Sequence, residues 1–143
     1  MNRVYTGGTF DLFHSGHVNF LRMCKEIASG GPVIVALNTD EFVQQYKGNS
    51  PVYTYAERKI LVESCMYVDE VVPNMNGADS KPTILEVRPN LIVIADDWAR
   101  KDYYAQMSFT QDWLDEQGII LCYIPYTHKN ISTTILKERI LLA

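Results

Sequence analysis

Short apolar runs at residues 4–6, 33–37, 68–72, 91–95 and 119–124 alternate with stretches whose apolar residues recur at helical spacing. Strand-length runs separated by helices imply βαβ units, since a parallel pair of strands needs a long crossover between them. The run at 33–37, Val-Ile-Val-Ala-Leu, carries no polar residue at any position. That is the pattern of a strand covered on both faces.

The segments between the runs carry helix signals of their own. Val18, Leu21, Cys24, Ile27 and Ala28 fall on one helical face, which the Gly30-Gly31-Pro32 breaker ends. Thr54 and Glu57 form a capping box ahead of Ile60, Leu61 and Cys65. Ser80-Lys81-Pro82 opens a helix that ends near Arg88-Pro89, and a helix over 111–117 stops at Gly118. Ser132 caps a last helix carrying Ile135, Leu136, Ile140 and Leu141. With 143 residues and no repeat or linker, the chain is expected to form one Rossmann-like α/β domain spanning 1–143. Its five-stranded, mostly parallel sheet would carry helices on both faces.

Composition excludes several classes. A formal net charge of −4 argues against a nucleic-acid partner. No apolar run approaches the roughly 20 residues that span a membrane. The chain opens directly into a strand-like segment, so no signal peptide is expected and the setting is read as cytoplasmic. Cys24, Cys65 and Cys122 form no Cys-x-x-Cys pair and read as reduced core residues.

In an open parallel sheet ligands sit at the carboxyl ends of the strands, and the loops at 7–16, 38–54, 96–104 and 125–132 all leave that edge. Residues 8–17 read Gly-Thr-Phe-Asp-Leu-Phe-His-Ser-Gly-His, between the first strand and the first helix. Free amides and the dipole at a helix N-terminus attract anions, and His14 and His17 add donors there. Gly7, Gly8 and Gly16 let backbone approach phosphate oxygens without a Cβ in the way; Thr9 offers a hydroxyl and an amide. His-x-x-His is also a zinc spacing, but there is no His-Glu-x-x-His arrangement and no evident third ligand, so no metal ligand is assigned. Asp11 would repel a polyphosphate and is expected to fix the loop as an acceptor. Phe10 is carried as a nucleotide-binding candidate; like Leu12 and Phe13, it also fits an anchor in the core or loop. Ser132, Thr133 and Thr134 offer hydroxyls and helix-end amides to phosphates, or form an ordinary N-cap. Asp96 and Asp97 can accept from ribose hydroxyls or an exocyclic amine, or serve turn chemistry.

The run Gly8-Thr9-Phe10-Asp11, then His14, Gly16 and His17, is similar to the signature of the HxGH nucleotidyltransferase superfamily. Ile131-Ser132-Thr133-Thr134 matches that superfamily's C-terminal phosphate loop. Ala95-Asp96-Asp97-Trp98 resembles the Gly-Asp-Asp-Trp of glycerol-3-phosphate cytidylyltransferases, and residues 38–42, 57–59 and 67–71 follow the same order. The resemblance implies an enzyme that transfers CMP from CTP to a small phosphorylated alcohol, glycerol 3-phosphate first, forming a CDP-alcohol and pyrophosphate. It also implies Mg²⁺ held through the triphosphate, and a homodimer. It places His14, His17, Lys47, Ser132 and Thr133 at the reacting phosphates. Around the nucleotide it places Gly7, Gly8, Thr9, Phe10, Gly16, Asp96, Asp97, Ile131 and Thr134. Arg58, Trp98 and Lys129 go to the acceptor or its phosphate. For Lys47 the alternative is a solvated surface lysine; for Arg58 it is a surface pair with Glu57 or Glu41.

Two departures stand out. Relatives usually carry Pro-Arg-Thr-x-Gly before Ile-Ser-Thr-Thr, whereas residues 125–130 read Pro-Tyr-Thr-His-Lys-Asn, one residue longer and without Arg. Lys129 or His128 would then supply the cation. Met66 stands where relatives tend to have Arg. Cytosine is favoured over adenine by the Asp96-Asp97-Trp98 likeness alone. An adenylyltransferase using ATP on a phosphosugar or similar acceptor therefore stays open, as does a non-catalytic nucleotide-binding regulator. Tyr103, Tyr104 and Phe109 form either an exposed aromatic patch at a partner surface or part of the core.

Overall fold

The apolar runs become the strands β1 (Val4–Gly8), β2 (Val33–Asn38), β3 (Glu70–Asn74), β4 (Leu91–Ala95) and β5 (Ile120–Ile124) of one sheet. This computed structural model describes residues 1–75, 79–126 and 130–143. The strand order is β3-β2-β1-β4-β5, and every neighbouring pair is parallel. Among the described residues the helices are α1 (Ser15–Ala28), α2 (Asp40–Lys47), α3 (Tyr55–Glu63), α4 (Lys81–Val87), α5 (Tyr103–Met107), α6 (Gln111–Gln117) and α7 (Thr133–Leu142).

Alternation along β2 divides the core into two layers. Val33, Val35 and Leu37 pack with Phe20, Leu21 and Cys24 of α1 and Val62 of α3. Ile34 and Ala36 face Ile84 of α4, Met107 of α5 and Leu114 of α6. All six β2 residues are buried, as a strand sandwiched between two helical layers requires. Each large aliphatic side chain buried this way stabilises the fold by about 1.5–3 kcal/mol. Cys24 is buried, Cys65 and Cys122 are half-buried, and none forms a disulfide. Among the described residues no helix is long and apolar enough to cross a membrane.

The structure moves some expected boundaries. β3 begins at Glu70 rather than 68, because the Val68 amide still closes a turn onto the Cys65 carbonyl and the ladder starts at the Ile34–Glu70 pair. Pro73 is tolerated there because β3 is an edge strand. The stretch expected as loop 38–54 contains α2. The Thr39 hydroxyl caps it by accepting from the Phe42 amide, Asp40 and Glu41 sit at its positive end, and Gly48 stops it at φ +76°. In the 96–104 segment a 3₁₀ turn (Asp96–Arg100) leads towards α5. Tyr103 and Phe109 are core residues and Tyr104 packs against them, so these rings form no exposed patch.

The chain runs outward from β1 to β2 and β3 on one side, then returns to β4 and β5 on the other. Between β1 and β4 the order reverses. The crevice at that reversal, beyond the carboxyl ends of the strands, is where such sheets bind ligands.

Candidate functional site

The loop that follows β1 is held in a costly shape. Phe10 and Leu12 have φ of 51° and 49°, the left-handed region that side chains other than glycine rarely adopt. Asp11 lies between them, buried. Its carboxylate accepts from the Leu12 amide at 3.1 Å, from Val52 at 2.7 Å and from Tyr53 at 2.9 Å. This is the loop-fixing acceptor expected from the sequence. Arg58 secures the same loop from below. Its guanidinium donates to the carbonyls of Thr9 (2.9 Å), Asn38 (2.8 Å) and Tyr53 (3.1 Å), and to the Asp40 carboxylate (2.7 Å).

Arg58 has no exposed surface and lies outside the pocket lining. The structure therefore corrects both expectations for it. It is neither a phosphate clamp nor a surface partner of Glu57 or Glu41, but a positioning residue that ties β1, β2, α2 and α3 together. The chain's C-terminal helix meets the same loop: the Thr133 hydroxyl donates to the Asp11 carbonyl at 2.8 Å, across 122 positions of sequence.

His14 and His17 cap α1 reciprocally. The Nδ1 atom of His14 accepts from the Gly16 amide at 3.0 Å, and that of His17 accepts from the His14 amide at 3.2 Å. Since a backbone N–H can only donate, both neutral rings carry their proton on Nε2. The rings stack 3.7 Å apart, and Phe13 stacks on the outer face of His17 with centroids 5.5 Å apart. Burial, and then the neighbouring His14, push the His17 pKa down to about 3. The His17 ring thus stands neutral at physiological pH. Gly16 serves packing rather than ligand approach, since a Cβ there would fall 2.2 Å from the Tyr126 hydroxyl and 2.8 Å from the His14 ring.

A cavity of about 480 Å³ opens at the sheet edge. Of the residues singled out from the sequence, Gly7, Gly8, Thr9, Phe10, His17, Lys47, Asp97, Trp98 and Thr133 line it. Phe10 is an anchor in the core, packed beside His17, and also lines the cavity. Lys47 stands in the last turn of α2 rather than in a loop. His14 lies behind His17, and Asp96 accepts from the Tyr126 amide at 3.4 Å; neither is on the lining. Ser132 caps α7, accepting from the Ile135 amide, and Ile131 and Thr134 flank Thr133 without lining the cavity. Lys129 and His128 lie outside the described residues.

The Cytidylyltransferase-like family matches residues 5–139, nearly the whole chain. The chain belongs to that family. It is 38% identical over 140 residues to the glycerol-3-phosphate cytidylyltransferase of Bacillus subtilis (strain 168), covering 98% of each chain. The enzyme of the same name from Staphylococcus aureus (strain NCTC 8325 / PS 47) is 34% identical over 140 residues, which are 98% of this chain and 96% of that one. Among solved structures, the lipopolysaccharide core biosynthesis protein from Thermoplasma volcanium GSS1 superposes with a TM-score of 0.69 at 25% identity, over 87% of this chain and 97% of that one.

In this cytidylyltransferase-like chain, the structure adds site residues that the motif reading missed. Lys101 and Lys137 line the cavity alongside Lys47. Lys101 lies 3.6 Å from the Asp97 carboxylate, with its ammonium 5.1 Å from the centre of the Trp98 ring. Lys137 follows Thr133 by one helical turn in α7, so it stacks on the same face. That spacing was the available signal. Asn38 and Asn74 also line the cavity; they end adjacent strands and face each other in register.

Proposed function

We propose that this cytidylyltransferase joins CTP to a small phosphorylated alcohol, with glycerol 3-phosphate as the first acceptor, releasing pyrophosphate. An oxygen of the acceptor phosphate attacks the α-phosphorus. A new P–O bond forms as the bond to the β-phosphate oxygen breaks, and pyrophosphate departs with that electron pair. Negative charge grows on the α- and β-phosphate oxygens along the way. The chain meets it with the Nε2–H donors of His14 and His17, the amides at the start of α7 and the ammonium groups of Lys47, Lys101 and Lys137. Preorganised donors in a partly enclosed site are the usual source of such stabilisation.

One observation carries this reading: the Thr133–Asp11 hydrogen bond, which ties Thr133 of the C-terminal hydroxyl motif to the loop ahead of α1, so that Thr133 and His17 line one cavity. The closely similar glycerol-3-phosphate cytidylyltransferases support CTP and the acceptor.

Mg²⁺ belongs to the same proposal. Among the described residues no three His, Cys, Asp or Glu side chains come together as a metal set. That arrangement suits an ion carried in on triphosphate oxygens, where it neutralises phosphate charge, better than one held in a protein cage. A cytoplasmic setting is supported by the three unpaired cysteines. A homodimer completes the reading, with exposed Ile60 and Met66 as apolar surface for a second copy.

Pyrophosphate release with glycerol 3-phosphate, measured with CTP and ATP in turn and with and without chelator, tests the proposal. Turnover is expected with CTP and Mg²⁺ only; turnover with ATP and inert CTP would overturn the base assignment.

A further inference from the structure

A line of side-chain hydrogen bonds leaves the loop after β1 and ends without a partner. The Asn38 amide donates from Nδ2 to the Thr9 hydroxyl at 3.1 Å, and Asn74 donates from Nδ2 to Asn38 Oδ1 at 2.9 Å. Asn74 is only 3% exposed, lines the cavity, and its Oδ1 has no hydrogen-bond partner. Alternation along β2 puts Asn38 on the same sheet face as Ile34 and Ala36, the face covered by α4, α5 and α6. Tyr103 of α5 packs on that face and lines the same cavity. It is 2% exposed, and its hydroxyl likewise lacks a partner. A buried acceptor and a buried donor left unsatisfied each cost stability unless a ligand completes them.

The charges around the cavity narrow what that ligand is. The carboxylates on the lining are Asp11, engaged with three backbone amides, and Asp97, paired with Lys101. Among the described residues no other carboxylate lines the cavity to receive an ammonium group, while Lys47, Lys101 and Lys137 repel one. A hydroxyl both donates and accepts, and so matches an amide oxygen and a phenol together.

We infer that Asn74 and Tyr103 form the specificity end of the acceptor subsite and select an uncharged, hydroxylated tail over an alkyl or amine tail. This rests on the function proposed above. In that subsite one hydroxyl donates to Asn74 Oδ1 and another accepts from the Tyr103 phenol.

The test is calorimetric binding of glycerol 3-phosphate, n-propyl phosphate and ethanolamine phosphate to the full chain, beside pyrophosphate release from CTP with each. Glycerol 3-phosphate is expected to bind about 10²-fold tighter than n-propyl phosphate, about tenfold for each hydrogen bond, and tighter than ethanolamine phosphate. Tyr103→Phe removes one oxygen and should lower that preference about tenfold, while CTP affinity stays within about twofold. Asn74→Leu should do the same, with thermal melting to verify its fold. A preference near unity in the parent, a preference that survives in Tyr103→Phe, or ethanolamine phosphate binding as tightly as glycerol 3-phosphate overturns the inference. Hydroxyl-dependent binding with no pyrophosphate overturns the proposed function alone. Pyrophosphate release with no preference for the hydroxylated tail overturns the inference alone.

Discussion

Replacing Arg58 by Met should unfold the loops around the site before it affects any ligand. The methionine keeps much of the apolar stem but offers no donor. The carbonyls of Thr9, Asn38 and Tyr53 and the Asp40 carboxylate then all lose a partner. Removing one partner of a buried ion pair costs about 3–5 kcal/mol. Asp40, with its side chain 39% exposed, recovers some solvation, which lowers its share of that cost. The three abandoned carbonyls, at about 1–3 kcal/mol each when fully buried, keep the total from falling below that range. For a 143-residue domain, about 3 °C of melting temperature follows each kcal/mol, giving a loss of about 10–15 °C.

Thermal unfolding followed by circular dichroism measures this directly. Arg58→Lys keeps the charge but supplies one compact ammonium with three donors for four separated acceptors, and should lose about half as much. The reasoning is refuted if Arg58→Met melts within about 2 °C of the parent while the acceptor KM rises. That pair of results would return Arg58 to the ligand.

His14→Ala and His17→Ala are each expected to lower kcat by about 10²–10³, the usual effect of removing one preorganised donor; full activity in both would dismantle the site assignment. The depressed His17 pKa also fixes the sign of an acid effect. Between about pH 6.5 and 3 the unfolded chain binds a proton that the folded chain refuses. Its contribution is therefore complete above about 6.5 and drains away as pH falls towards 3. Denaturant titrations of His17→Asn should show a shallower acid loss than the parent, and parallel curves would count against a buried neutral ring. Thr133→Val removes the bond to the Asp11 carbonyl and should cost about 1 kcal/mol of stability. Turnover should fall by about tenfold or more, because the loop ahead of α1 loses its tie to α7; unchanged turnover would remove Thr133 from the site.

The features readable from the sequence share one property: their cause lies within a few residues. The capping box of Thr54 and Glu57 closes on itself, Ser132 caps the turn it begins, and the apolar run in β2 needs no knowledge of its partners. By that measure α2 was also legible, through Thr39 and Gly48. Yet it buries only Phe42 and Val43, too short an apolar stripe to stand out from a loop. Arg58 was not legible, because its acceptors belong to residues 9, 38, 40 and 53 and converge only once β1, β2 and α3 are packed.

The left-handed geometry at Phe10 and Leu12 was hidden for a related reason. Where glycine supplies such a conformation, the sequence announces it. Here ordinary side chains are forced into it by interactions from outside: Asp11 gripping the amides of Val52 and Tyr53, Arg58 on the Thr9 carbonyl and Thr133 on the Asp11 carbonyl. A glycine at these positions would adopt the shape at less cost but leave the unfolded chain freer. It would also lose the Phe10 ring, which packs edge-on against His17 at 5.2 Å. Strain in the loop is thus the consequence of using that loop's side chains to hold the imidazole pair. The imidazoles are in turn fixed as Nε2 donors by the amides of the helix they cap.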